Sequence, residues 1–162
     1  MLEYVNAVIS IDTCSGPIAK IKKLKPNAII PTKGSEYAAG YDLYACLDED
    51  SIAINTHETK MIGTGIAITP PKGYFGAIFA RSGLSIKQGL RPQNCVGICD
   101  EDYTGEYIVA LHNDYDNKRA IIHNGDRIAQ LVFLPYADIT FNEVDELEET
   151  ERADGGFGST GR

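Results

Sequence analysis

Two short stretches carry residue types that could do chemistry on a phosphate or a water molecule. Arg81-Ser82-Gly83 follows an apolar run abruptly. An arginine fork and a hydroxyl suit phosphate oxygens, and a glycine lets the backbone approach a ligand; a plain turn would read the same way. Asp100-Glu101-Asp102-Tyr103 sets three carboxylates before an aromatic. Carboxylates at a strand end can hold a hydrated Mg2+ or take a proton from water, and a solvated acidic turn is the alternative. Other constellations fail on physical grounds. Residues 156–161 match G-x-G-x-x-G letter for letter, but a single residue follows, and dinucleotide binding needs a helix N-terminus there. There is no P-loop lysine motif and no H-E-x-x-H. His57, His112 and His123 lack ligand spacing and read as structural. Cys14, Cys46, Cys95 and Cys99 form neither a disulfide framework nor a zinc site, and read as reduced thiols of a cytoplasmic protein.

The elements that must hold these residues read as short strands. Residues 61–69 (MIGTGIAIT) alternate Ile62, Thr64, Ile66 and Ile68 with small residues, a period of two. Pro70, Pro71 and Gly73 stop that run, and residues 74–80 resume as a strand. Further strands are expected at 106–112, 119–123 and 127–134, the last two joined by Asn124-Gly125-Asp126, a hairpin signal. One helical turn fits residues 85–89. Strands punctuated every 8–12 residues favour a sandwich, jelly roll or small barrel.

The chain has 162 residues and a net charge of −8. That length suits one domain with a core of its own. Without a basic stripe it is not expected to bind polynucleotides. No apolar run reaches the roughly 20 residues of a membrane span, and residues 1–10 lack the features of a signal peptide. The charge is uneven: residues 1–137 hold 15 acidic and 13 basic residues, whereas residues 138–162 hold 8 acidic residues against Arg152 and Arg162. A body and a flexible tail are implied.

Taken in order, five segments make a pattern. They are residues 39–45 (AGYDLYA), 81–85 (RSGLS), 97–106 (GICDEDYTGE), 125–131 (GDRIAQL) and 152–161 (RADGGFGSTG). In their order and spacing the chain resembles the trimeric dUTPases (deoxyuridine triphosphate nucleotidohydrolases) across residues 21–162. The resemblance implies an all-β, jelly-roll-like barrel over residues 21–140, and a C-terminal arm over 141–162 that closes on substrate. Residues 1–20 would be an N-terminal extension without an assigned role. It also implies a homotrimer with active sites at subunit interfaces, and Mg2+-assisted hydrolysis of dUTP to dUMP and pyrophosphate. Such an activity limits uracil incorporation into DNA and supplies dUMP for thymidylate synthesis.

Residue by residue, Asp100 would be the general base for the attacking water. Arg81, Ser82 and Gly83 would hold the phosphate chain. Asn94, Gly97, Ile98 and Cys99 would lie on a hairpin over residues 94–100 that presents polar groups to uracil. Tyr103 would pack under the deoxyribose and leave no room for a 2′-hydroxyl, and Ile108 would add backbone contacts. Mg2+ would have no direct protein ligand; Asp42 and Gln130 would reach it through water, and Gln130 would also touch substrate. In the arm, Phe157 would stack on the base, while Arg152, Gly158, Ser159 and Thr160 would take the terminal phosphates. Three positions depart from the family pattern. Ala80 replaces a proline, Cys99 an aliphatic residue and Ala153 a glycine, the last restrictive if φ > 0 is needed there. A dCTP deaminase shares the jelly roll, but the complete tail motif and residues 100–103 favour the dUTPase reading.

Overall fold

Alternation of buried and exposed side chains dictates the sheets of this protein, whose structure, a computed structural model, describes residues 16–155. The strands are β1 (Lys20–Lys23), β2 (Thr32–Lys33), β3 (Tyr41–Tyr44), β4 (Ser51–Ile54), β5 (Thr59–Thr69) and β6 (Tyr74–Phe79). After α1 (Ser82–Gln88) come β7 (Leu90–Pro92), β8 (Gly97–Cys99), β9 (Glu106–Asn113), β10 (Ala120–His123) and β11 (Arg127–Pro135). All pairings are antiparallel. One sheet runs β1-β5-β9-β7, another β2-β3-β11-β6-β8, and β10 pairs with β4. Neighbours distant in sequence, with successive strands crossing between sheets, give the jelly-roll-like arrangement.

The core lies between the sheets. Ile62, Ile66 and Ile68 of β5 meet Tyr107, Val109 and Leu111 of β9, with Leu43, Ile54, Ile122, Ile128 and Leu131 completing it. Ile62, Thr64, Ile66 and Ile68 of the period-two run are all buried as expected, but Gly65 and Ala67 between them are buried too, where β5 leaves its register with β9. Buried Asn113, at the end of β9, is satisfied by neighbouring backbone: its Nδ2 donates to Ile54 O (3.1 Å) and Lys118 O (2.8 Å), and its Oδ1 accepts from Tyr115 N–H (3.1 Å). Among the described residues no helix is long and apolar enough to cross a membrane.

Three local expectations are corrected. The turn at Asn124-Gly125 does not close a hairpin, because β10 pairs with β4 while β11 pairs with β3 and β6. Its polar groups bond to the β3–β4 connection instead. Leu47 N–H donates to Asn124 Oδ1 (3.0 Å), Gly125 N–H to Ala45 O (2.8 Å) and Asn124 N–H to Asp50 O (2.9 Å). The helix starts at Ser82 rather than 85, with Arg81 as N-cap, and Gly89 ends it at φ 63°. Residues 94–100 are likewise not a paired hairpin. β7 before them pairs with β9 in one sheet, and β8 within them pairs with β6 in another. The chain crosses sheets through a tight loop in which Val96 N–H donates to Asn94 O (2.6 Å) and Cys95 takes φ 61°.

Candidate active site

Arg81 is held before any ligand arrives. Asp42, on β3, is 4% exposed. Arg81 Nε donates to its Oδ1 (2.8 Å) and Arg127 Nη1 to its Oδ2 (3.3 Å). Arg81 Nη1 also donates to Arg127 O (3.3 Å). A buried carboxylate is stable only when paired, and two guanidinium groups around one carboxylate leave a net positive charge. Arg127 reaches Asp42 because the β3–β11 register slips between Arg127 and Ala129, a bulge of the kind that re-aims side chains near sites. Gln130 stands directly opposite Asp42 across the same strand pair. Ser82 and Gly83 are exposed in the first turn of α1.

The second group lies around a cleft of about 630 Å³ lined by Phe75, Ile98, Asp100, Glu101, Asp102 and Tyr136. Its three carboxylates are not equivalent. Glu101 Oε2 accepts from Gly73 N–H (2.7 Å) and Tyr136 Oη (2.8 Å). The Gly73 bond first, then the tyrosine, holds its carboxyl below the usual range. Glu101 thus ties the turn to the β5–β6 connection, while Asp100 is exposed at the cleft with its carbonyl accepting from Tyr103 N–H (3.1 Å). Asn94 and Gly97 adjoin: a Cβ at Gly97 would lie 3.3 Å from Asn94 Nδ2 and 3.3 Å from Ile78 Cβ. Cys99 is buried, and burial pushes its thiol up to about 11. Beside it Tyr107 Oη is enclosed without a well-formed hydrogen bond, and burial raises that phenol strongly as well.

One chain does not unite the two groups. Cys99 pairs with Gly76 and Gly97 with Ile78, so Asp100 falls beside Phe75, at the start of β6, whereas Arg81 follows its end. At roughly 3.3 Å per residue, some 15–20 Å of β6 separates them. Ile108 lies apart from the Asp100 cleft, in a concavity with Met61, Glu106 and Cys46. Arg152 Nε donates to Gly155 O (3.0 Å), and Ala153 does take a positive φ of 43°. Phe157, Gly158, Ser159 and Thr160 lie outside the described residues.

Two residues beside these groups carry no distinguishing signal of their own in the sequence. Arg127 stands inside the 125–131 segment, but its role depends on the cross-strand contact with Asp42. Tyr107 looks like an ordinary inward strand residue until its neighbours are seen. Among the described residues no group of three or more His, Cys, Asp or Glu could hold a metal ion.

A dUTPase family model matches residues 26–161. A deoxyuridine 5′-triphosphate nucleotidohydrolase of Hydrogenobaculum sp. (strain Y04AAS1) is 45% identical over 141 residues, covering 87% of this chain and 96% of that protein. Among solved structures, a mutant Staphylococcus bacteriophage 80alpha dUTPase with dUpNHpp aligns with a TM-score of 0.76 and 27% identity, over 90% of this chain and 99% of that one. A mutant dUTPase from phage phi11 of S. aureus, in which a structural Mg(II) ion is coordinated, aligns with a TM-score of 0.72 and 24% identity, over 82% of this chain and 99% of that one.

Proposed function

The chain belongs to the dUTPase family, and we propose on that premise that it hydrolyses dUTP to dUMP and pyrophosphate at sites shared between copies of the chain. The observation that carries this reading is the separation of a preformed cationic cluster from an acidic, aromatic cleft by the length of β6. A site needing both must draw them from different copies, which supports a homotrimer. Ile139, Phe141 and Leu147, at least two-thirds exposed beyond β11, support the same assembly, since one chain gives them no cover.

Asp100 takes the proton of the water whose oxygen attacks the α-phosphorus. A bond forms there as the bond to the bridging oxygen breaks and pyrophosphate leaves. General-base work of this kind supplies about 10²–10⁴-fold. Arg81, fixed by Asp42, meets the phosphate chain with no reorganisation of its own, and Ser82 and Gly83 flank it. Asn94 and the backbone of 97–99 read the uracil edge, and a 4-amino group there would leave buried polar atoms unpaired. Tyr103 floors the sugar, and the arm closes over the nucleotide, Phe157 on the base and Arg152, Gly158, Ser159 and Thr160 on the phosphates.

The donor set suits a magnesium ion carried by the triphosphate and its own waters, because Asp42 is committed to two arginines and Glu101 to Gly73 and Tyr136. Gln130 is the residue to touch that water shell. When bound, the ion neutralises phosphate charge. Free thiols at Cys46, Cys95 and Cys99 support a reducing, cytoplasmic setting. Pyrophosphate release from dUTP, dCTP, dTTP and UTP with Mg2+ tests the reading. Turnover confined to dUTP is expected; comparable turnover of UTP or dCTP would contradict the base and sugar assignments.

A further inference from the structure

Tyr103 is seated by three neighbours. Its hydroxyl donates to Glu106 O (2.9 Å), and its ring lies tilted against that of the buried Tyr107, centroids 6.1 Å apart. The third neighbour is Gly105. A Cβ there would stand 2.5 Å from Tyr103 Oη, 2.7 Å from Cζ and 2.9 Å from Cε2. Gly105 is not among the described glycines with positive φ, which are Gly65, Gly73, Gly89 and Gly125. Its backbone conformation is therefore open to alanine, and what glycine provides at 105 is space rather than conformational freedom.

We propose that Gly105 is a specificity-determining positioning residue: its missing side chain lets the Tyr103 ring lie back against Glu106 and Tyr107. This rests on the reading of Tyr103 as the floor of the sugar pocket. The atoms a methyl group would strike belong to the far end of one mobile side chain, so alanine moves the ring and leaves the fold. A displaced ring no longer bonds to Glu106 O and no longer defines the space in which a 2′-hydroxyl is refused. The cost falls on discrimination between deoxyribose and ribose.

The test compares kcat/KM for dUTP and UTP, with melting temperature, in the full chain and in Gly105→Ala, Tyr103→Phe, the double variant and Tyr103→Ala. Gly105→Ala is expected to melt like the parent and to lose about ten- to a hundredfold in the dUTP-over-UTP ratio, the usual scale for an ångström-sized misplacement. The double variant is expected to recover part of that loss, because removing Oη relieves the tightest contact, a non-additivity that a purely structural role would not produce. An unchanged ratio in Gly105→Ala overturns the proposal. So does a double variant no better than Gly105→Ala, or a Gly105→Ala chain that fails to fold. Tyr103→Ala separates the two layers: an unchanged ratio there sinks the sugar-floor reading and this proposal with it. A lowered ratio there, beside an unchanged one in Gly105→Ala, sinks the Gly105 inference alone.

Discussion

Asp42 illustrates how a residue's job depends on what its carboxylate already touches. The family resemblance places it near metal-bound water, yet its two oxygens are taken by Arg81 and Arg127, so its direct effect is to aim a guanidinium. Cys99, adjacent to Asp100, is set apart in another way. Its thiol is raised from 9.0 to about 11 by burial. Between those values the folded chain keeps a proton that the unfolded chain has lost, so this group's contribution to stability is complete below pH 9 and declines as pH rises through 11. At pH 8 Cys99 is expected to resist iodoacetamide in the native protein and to react once urea unfolds it. Mass spectrometry of the adducts reads this directly, and native labelling at a rate equal to the unfolded one would show the thiol to be accessible.

At the scale of elements, β5 bends where its register with β9 slips between Gly63 and Ala67. Gly65 in that bulge has φ 66°, and its N–H donates to Glu106 Oε1 (2.7 Å). A Cβ at 65 would stand 2.7 Å from Cys46 Sγ and 2.9 Å from Ala28 Cβ, both in the core. Gly65→Ala is expected to cost about 2–4 kcal/mol in urea unfolding, since strain and overpacking coincide. Gly34→Ala, with nothing within 4 Å, is expected to stay within about 0.5 kcal/mol. Equal effects at the two positions would contradict the bulge account.

The strands themselves were legible, because an alternating run such as 61–69 states which side is buried. Their partners were not. Asn124-Gly125 encodes a tight reversal locally, but whether the flanking strands pair with each other is decided by residues 45–50 and by β3 and β4, far along the chain. The site divides similarly. The five segments pointed to Arg81, Asp100 and Tyr103, while the Asp42–Arg127 contact and the space beside Tyr103 exist only after distant strands meet.

At the scale of the whole molecule, the net charge of −8 belongs mostly to residues 138–162, which hold 8 of the acidic residues, and says little about the cationic cluster around Arg81. The proposed site needs Arg81 and Asp100 to serve one reaction from different copies of the chain. Arg81→Ala and Asp100→Asn, each expected to be nearly inactive alone, can be coexpressed with different tags and the doubly tagged assemblies purified. In a closed symmetric trimer every mixed assembly then holds one intact site in three, so about a third of the unsubstituted protein's dUTP turnover is expected. Hybrid trimers as inactive as both parents would contradict the shared site and place the two residues' work within a single chain.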